Sequence, residues 1–467
     1  MTAPNATHAT TAPKLTRSLA RFALETPWAA MPPSVQSAAV RANLNWLACA
    51  LAGSQTPTVH SALAAAQSLS GPGTHGLVGR RETVDASQAV FINCLSSAAH
   101  AFDDTHLKTI THPTGPVAAV VWALAEQQAA HGVRCSGSDV LSALVVGMEV
   151  ECRLSNAIVN HGRGAHLGWY MTGLTGGIGA AIAGARLLGL SQDQAVMAMS
   201  LAAAQSGGFR ATHGSMGTAF VPAMAARNGL AALRLAQAGF TCTEHAIDGH
   251  NGLLAVLSPD CDAALALADL GQTYEVLDNA LKPYPCGIVI HPAIDACMAL
   301  AAQLKNPLEE VAALSLWVHG DTLRLCGRRL PETALDAQIS VYHWAAATLV
   351  HPHDALGNAE LPRVQEPLLR ALQSRIQAQV DDSLQSDQAR AQLRTHTGQV
   401  LDTHVEHASA SAANPMTDEQ LNHKFAALSQ RALPPAQAQA VQSLSWQLPT
   451  LSDPLACLHQ ACLLGHK

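Results

Sequence analysis

Residues 102–126 read FDDTHLKTITHPTGPVAAVVWALAE, a dense group of polar side chains followed at once by an apolar, alanine-rich run. Alanine is the residue that most favours a helix, and the run is long enough to form one. The polar part contains Asp103, Asp104, Thr105 and His112. This stretch therefore predicts a loop of titratable groups at the start of a buried helix.

Apolar residues at helical spacing extend away from this stretch in both directions, over residues 19–53, 90–101, 140–158 and 223–239. Ser191 is a plausible N-cap for one further helix. The pattern changes after about residue 265. From there LEEVAALSLWVHG, RIQAQVDDSL and GQVLDTHVEHAS alternate in the way that strands do.

These patterns predict a mainly α fold, in which a smaller α+β domain is inserted into a large all-helical domain. The helical domain is expected over residues 1–265 and again over residues 409–467. The inserted domain is expected over residues 266–408. A chain of 467 residues is long enough for such a division, since domains usually have about 100–200 residues.

The composition excludes several classes of protein. Hydrophobic residues make up 48% and charged residues 13%, which predicts a large core and argues against disorder. The net charge is −7 and no run of Lys and Arg stands out, so we expect neither a nucleic acid nor a membrane as partner. The 11 scattered cysteines and the polar start of the chain predict reduced thiols in a cytoplasmic protein.

The polar group that follows Phe102 is the first candidate for catalysis. Carboxylates and imidazoles that are crowded together shift each other's pKa toward neutrality, as acid/base chemistry requires. The alternative interpretation is a solvated loop between two helices, and composition alone does not decide between the two.

Two other stretches could bind an anion. KPYPCGIVIH begins with Lys282, and two prolines fix the path of its loop. NHGRGAHLGWYMTG contains Arg163, His166 and Tyr170 in a glycine-rich segment before a helix. The alternatives are a domain-boundary loop for the first stretch and a surface connection for the second.

Other classes of site are disfavoured. TGLTGGIG, residues 172–179, is similar to a dinucleotide-binding pattern, but no hydrophobic strand precedes it as that pattern requires. Close helix packing explains its small residues better. The sequence has no HExxH motif and no cysteines at ligand spacing, so no metal site is predicted. It also has no GxSxG nucleophile motif.

Four motifs together resemble the MmgE/PrpD family, which includes 2-methylcitrate dehydratase and cis-aconitate decarboxylase. They are residues 102–126, then VLSALVVGMEVECRL, GLTGGIGAAIAGARLLGL and LKPYPCGIVIHPAIDA. The resemblance covers nearly the whole chain. It implies a helical domain, a smaller α+β domain, an active site between them and a homodimer without metal or organic cofactor.

Two segments depart from the pattern of the family's dehydratases and decarboxylases. GWYMTG places Tyr170 where the family usually has a histidine, and MGTAFVPAM places Thr218 and Met224 where it usually has a lysine and an arginine. Loss of that lysine is tolerable in an epimerase, from whose substrate no hydroxide leaves. The expected function is a cofactor-independent epimerase that removes and returns a proton next to a carboxylate of an amino-dicarboxylate such as iminodisuccinate. The alternative is a hydro-lyase or decarboxylase that acts on a citrate-like polycarboxylate.

The resemblance and the three polar stretches together give the expected site. The expected catalytic residues are His112, Tyr170, Lys282 and Asp103, and the expected substrate-binding residues are Thr105, Asp104, Arg163, His166 and Thr218. A non-catalytic helical interaction protein and an NAD-dependent oxidoreductase are further alternatives, which the concentration of polar groups in loops and the lack of a nucleotide motif disfavour.

Overall fold

The computed structural model describes residues 15–462. Helices form almost all of the regular structure before residue 281. They are α1 Leu15–Glu25, α2 Pro33–Gly53, α3 Pro57–Leu69, α4 Ala86–Ala98, α5 Thr114–Ala130, α6 Gly137–Val159, α7 Met171–Leu187, α8 Gln192–Ala203, α9 Gly217–Gln237, α10 Leu253–Leu257 and α11 Ala263–Leu267. Ser191 caps α8 as predicted, because its side chain accepts a hydrogen bond from the Gln194 N–H. None of the helices among the described residues is long and apolar enough to cross a membrane.

Helix α7 lies at the centre of this helical part and packs against α5, α6, α8 and α9. The TGLTGGIG segment is buried inside this helix rather than forming a phosphate-binding loop. Its glycines allow the neighbouring helices to approach closely. A Cβ atom added at Gly229 of α9 would lie 2.6 Å from the carbonyl oxygen of Gly177 in α7.

Gly229→Ala is therefore expected to lower the free energy of unfolding by about 1–3 kcal/mol, the usual cost of overpacking a core. The methyl group would meet main chain, which cannot rotate away. Gly71→Ala is the matched control, because nothing lies within 4 Å of its added Cβ atom. Thermal and urea unfolding of both variants measure the effect, and equal stability of the two would contradict it.

The second part of the chain combines short helices with a four-stranded sheet. The sheet contains β5 Val311–Val318, β6 Ile376–Val380, β7 Ala389–Thr395 and β8 Val400–Val405, in the order β6-β5-β7-β8. Strand β6 is parallel to β5, and the other pairs are antiparallel. The helices are α12 His291–Ala301, α13 Pro307–Glu310, α14 Gly320–Cys326, α15 Ala334–Ala337, α16 Val341–Val350, α17 Ala355–Asn358, α18 Leu361–Val364 and α19 Pro367–Gln373.

The sequence patterns predict strands at β5, β6 and β8 but miss β7, one of the two inner strands of the sheet. Its buried and exposed residues alternate strictly, as expected of a strand with one covered face. However, the buried positions are Ala389, Ala391, Leu393 and Thr395, of which only Leu393 is large and apolar. The hydrophobic alternation is therefore too weak to be recognised from the sequence.

The last three helices return to the first part of the chain: α20 Asp418–Ser429, α21 Pro435–Gln447 and α22 Leu455–Ala461. One hydrophobic cluster combines residues 15–281 with residues 410–462, and a second cluster lies within residues 284–393. The mainly α fold with a smaller α+β part is thus confirmed. Ala266, Tyr274, Val276 and Leu281 belong to the first cluster. The domain bounds of 1–265, 266–408 and 409–467 stay a prediction.

Two pairs of short strands complete the fold, and the second of them positions the site. Strands β1 His75–Gly76 and β2 Thr83–Val84 pair near the surface. Strands β3 Thr105–His106 and β4 Asn279–Ala280 form an antiparallel pair that joins the loop after α4 to the segment that leads into the second cluster. All 11 cysteines lie among the described residues, and none is in a disulfide.

Candidate active site

The β3–β4 pair brings two distant segments of the chain together. Thr105 lies opposite Ala280, so the continuation of this register places Asp103 opposite Lys282. The Lys282 Nζ atom lies 3.5 Å from Asp103 Oδ1, and both side chains are buried. Two residues that are 179 positions apart in the sequence thus become neighbours through main-chain pairing.

Both of these side chains line a small inner cavity of about 50 Å³. Its polar lining also includes His112, Tyr170, Arg210 and His213. The inner cavity shares Arg210 and the apolar residues Ile110, Ile288 and Val289 with a larger, open cavity of about 1080 Å³. A small molecule can therefore approach the buried polar groups from the larger cavity.

The hydrogen bonds of His112 determine its tautomer. Nδ1 lies 2.8 Å from the carbonyl oxygen of Asp104, which can only accept a hydrogen bond, so Nδ1 carries the proton. Nε2 of the neutral ring then keeps its lone pair. Burial lowers the pKa of His112, while the nearby Asp103 carboxylate opposes this effect. His112 is thus suited to accept a proton at neutral pH.

The backbone around the cavity is strained at two positions. Ala101 and Ile110 both have positive φ, of 50° and 54°, and both line the inner cavity. Residues with a side chain rarely adopt this conformation, and such strain is concentrated at functional sites. The carbonyl oxygen of Ala101 accepts a hydrogen bond from Lys282 Nζ at 3.0 Å. The strained turn thus lies in direct contact with the cavity's ammonium group.

Tyr170 lies between two imidazole rings. Its ring packs edge-on against His112, with centroids 5.9 Å apart, and against His213 at 4.9 Å. Burial and the nearby Asp103 carboxylate raise the pKa of Tyr170 well above its ordinary value of 10. The phenol is therefore neutral at physiological pH, and can donate a proton or a hydrogen bond more readily than accept a proton.

Arg210 and His213 were not singled out in the sequence, although both line the inner cavity. Arg210 Nε donates to the carbonyl oxygen of Trp169, but Nη1 is buried without a hydrogen-bond partner among the described residues. The Nε2 atom of His213 is equally unpartnered there. Burial, together with the Arg210 charge, lowers the pKa of His213 to about 3, so this imidazole is neutral.

Both residues lie in GGFRATHGS, residues 207–215, a loop between two helices. An arginine and a histidine so close together in a loop could have been recognised in the sequence as candidate site residues. Arg210 also changes the charge inferred for the pocket. In the sequence, Thr218 stands where the family usually has a lysine, which predicts fewer cationic side chains in the pocket. However, Arg210 supplies a guanidinium group in the same cavity.

The other predicted residues lie in different surroundings. Thr218 lines the inner cavity, and its hydroxyl group donates to the carbonyl oxygen of Thr212. His166 is exposed and lines only the larger cavity. Arg163 is exposed and lines neither cavity. A substrate in the inner cavity would thus be in direct contact with Thr218 but not with Arg163.

Asp104 and Thr105 lie behind the cavity wall rather than in it. The Asp104 carboxylate accepts hydrogen bonds from Thr114 Oγ1 and Asn279 Nδ2, and burial raises its pKa to about 6. Thr105 Oγ1 lies 3.2 Å from His112 Nδ1. Both residues fix the loop that holds His112, so their contribution to substrate binding would be indirect.

One group of side chains has the composition of a cation site. His106, Glu275 and Asp278 place their ligand atoms within 4.8 Å of one another. However, the ammonium group of Lys108 lies 2.5 Å from Asp278 Oδ2 and 3.5 Å from Glu275 Oε2. This lysine already supplies positive charge to the two carboxylates.

Comparison with known families agrees with this architecture. The MmgE/PrpD N-terminal domain matches residues 17–266, and the MmgE/PrpD C-terminal domain matches residues 284–449. The chain belongs to the MmgE/PrpD family. The first match covers more than half of the chain, and the interval between the two matches contains the β4 strand that pairs beside the cavity.

Among curated proteins, the chain is similar to cis-aconitate decarboxylases. The Aspergillus terreus protein is 24% identical over 449 residues, which cover 91% of each chain. The cis-aconitate decarboxylase-like protein oryM of Aspergillus oryzae is 28% identical and covers 72% of this chain and 73% of its own. The human cis-aconitate decarboxylase is 25% identical and covers 62% of this chain and 60% of its own.

Proposed function

We propose that this MmgE/PrpD protein is an enzyme that moves a proton at a carbon next to a carboxylate of a small polycarboxylate, without a metal or organic cofactor. The observation that carries the proposal is the buried cavity where a neutral imidazole, a phenol and two cationic side chains meet. Lys282 and Arg210 supply positive charge for substrate carboxylates and for the enolate that forms when the carbon loses its substituent. His112 supplies a base or, once protonated, an acid.

The relatives favour a lyase. In a decarboxylation, the bond between the carbon and the departing carboxylate breaks, carbon dioxide leaves, and the carbanion takes a proton from the enzyme. The neutral Tyr170 phenol can donate that proton, and so can Lys282. The similarity to cis-aconitate decarboxylases over 91% of the chain supports this class, with a citrate-like acid as substrate.

Epimerisation of an amino-dicarboxylate such as iminodisuccinate is the second candidate. The proton would be removed from one face of the carbon and another returned to the opposite face, with no change in bonding elsewhere. Two positions that differ from the family's lyases, Tyr170 and Thr218, both line the inner cavity. The differences therefore affect groups that would touch the substrate, which supports a changed reaction.

Incubation of the protein with single stereoisomers and with cis-aconitate in heavy water tests the proposal. Deuterium at the carbon next to a carboxylate is expected in either case. Released carbon dioxide or a new C=C absorbance identifies a lyase, whereas a changed optical rotation without either identifies an epimerase. If no substrate of this class incorporates deuterium, the proposal fails.

Activity is expected to be insensitive to metal chelators, because the acid/base and cationic groups of the cavity are all side chains. Turnover before and after dialysis against EDTA measures this. Loss of turnover that added divalent metal restores would contradict it, and would direct attention to His106, Glu275 and Asp278.

A further inference from the structure

Lys424 is a buried lysine of α20 that lines neither cavity. Its Nζ atom donates three hydrogen bonds: to Asn45 Oδ1 at 2.7 Å, to the Phe102 carbonyl oxygen at 2.9 Å and to the Lys282 carbonyl oxygen at 2.8 Å. The same atom lies 3.9 Å from the centre of the Phe102 ring. All three ammonium hydrogens are thus used, and the charge is further stabilised by an aromatic face.

Two of these acceptors belong to the segments that carry the cavity's ion pair. Phe102 immediately precedes Asp103, and the third bond goes to the main chain of Lys282 itself. A second connection runs the other way, from the Lys282 ammonium to the Ala101 carbonyl oxygen. The two segments are therefore joined by two lysines, one bonded to the carbonyl oxygen of the strained Ala101 and the other to that of Phe102.

We propose that Lys424 is a positioning residue, which holds Asp103 and Lys282 at the separation that catalysis needs. This inference rests on the proposed function in one respect, namely that Asp103 and Lys282 act on the substrate. A neutral side chain cannot replace the ammonium group, because three acceptors converge on one atom and an amine has only two hydrogens. Without the third bond, the Phe102 and Lys282 main chains lose the side-chain link that supplements the β3–β4 pairing.

The protonation of Lys424 gives this role a signature in the pH profile. Burial lowers the pKa of Lys424 to about 8, with Cys49, Lys282, Asp103 and Asp104 as the titratable groups around it. The buried His291 also faces this charge, but its pKa is lowered by burial, so it is neutral near pH 8. Lysine is charged below its pKa, so kcat/KM should decline as the pH rises through about 8.

Lys424→Met keeps an unbranched side chain that is one atom shorter, and it removes the three hydrogen bonds. It is expected to lower kcat per folded molecule by on the order of 10²-fold, the cost of a displacement of about 1 Å at a catalytic group. Lys305→Met, at an exposed lysine, is the control. Circular dichroism measures the folded fraction of the variant. If the kcat of that folded fraction equals the wild-type value, the proposal is overturned.

Asn45→Asp tests the same role in a variant that keeps Lys424 and its hydrogen bonds. The Asn45 Nδ2 atom has no hydrogen-bond partner among the described residues, so its replacement by oxygen loses no bond. The new carboxylate lies beside Lys424 and stabilises the charged amine. We expect the alkaline decline of kcat/KM to move upward by about one pH unit or more.

Asn43→Asp is the matched control, since it makes the same change on α2 beside Trp122 Nε1 instead of beside an ammonium group. An identical alkaline limb in Asn45→Asp and in the unchanged protein would overturn the proposal.

A crystal structure of Lys424→Met separates this inference from the proposed function, because it needs no assay. The expected result is that Lys282 Nζ no longer contacts the Ala101 carbonyl oxygen. If that contact and the Asp103–Lys282 separation stay unchanged, Lys424 does not position them, whatever reaction the protein catalyses. If the contact and the separation change in the variant, but the wild-type protein turns over no polycarboxylate, only the proposed function fails.

Discussion

His112→Asn is expected to lower kcat/KM by on the order of 10²–10⁴-fold, the usual contribution of a positioned acid/base group. The amide NH₂ group of asparagine can still donate toward the Asp104 carbonyl oxygen, so the loop should keep its shape. The lone pair that Nε2 presents in the neutral ring is lost. Steady-state kinetics on the substrate identified by the heavy-water experiment measure the effect.

The pH profile of the unchanged protein provides an independent measurement of the same residue. Since burial lowers the pKa of His112 below its ordinary value of 6.5, the ring is neutral above that lowered pKa and gains a proton only below it. If His112 is the base, kcat/KM should decline on the acid side only below pH 6.5.

His353→Asn is the matched control, because His353 is exposed on the inserted domain. Normal turnover in His112→Asn would remove the imidazole from the mechanism and make Asp103 the next candidate.

Lys282→Met is expected to lower kcat/KM by on the order of 10²-fold or more. Removal of one partner from a buried ion pair costs about 3–5 kcal/mol, and the Asp103 carboxylate would be left without its ammonium neighbour. The direction of the change in KM and kcat shows what the lysine does. A raised KM with the same kcat indicates an anchor for a substrate carboxylate, whereas a lowered kcat indicates stabilisation of the transition state.

Lys305→Met serves again as the control for the loss of a lysine from the surface. Circular dichroism and the melting temperature establish whether Lys282→Met is folded. A folded variant with unchanged KM and kcat would place Lys282 outside the site and would leave Arg210 as the cavity's carboxylate-binding cation.

The sequence predicted the helical framework well because α5, α6 and α7 are long and nearly continuous in apolar and small residues. The loop groups Asp103, His112 and Lys282 were recognised because the chain resembles a known family in those motifs. Their proximity could not be derived, because it depends on two-residue strands. Thr105–His106 and Asn279–Ala280 are too short to show any alternation, yet their pairing aligns the two segments that carry the candidate site.

The sequence also could not show which of two adjacent carboxylates lines the cavity. Asp103 and Asp104 stand next to each other, but one carboxylate lines the cavity and the other bonds to Thr114 and Asn279 behind it. Only the path of the backbone separates the two. Arg210 was overlooked for a related reason, because its loop has no periodicity and its partners come from other segments.

The position of Lys424 late in the chain has a consequence for how the protein is made. Synthesis proceeds from the N-terminus, and domains tend to fold as they emerge. A growing chain has therefore completed the inserted domain, and every side chain that lines the inner cavity, before α20 is added to α2. A polypeptide released by the ribosome before residue 424 would contain every side chain of the inner cavity, yet would lack the ammonium group that joins the Phe102 and Lys282 segments.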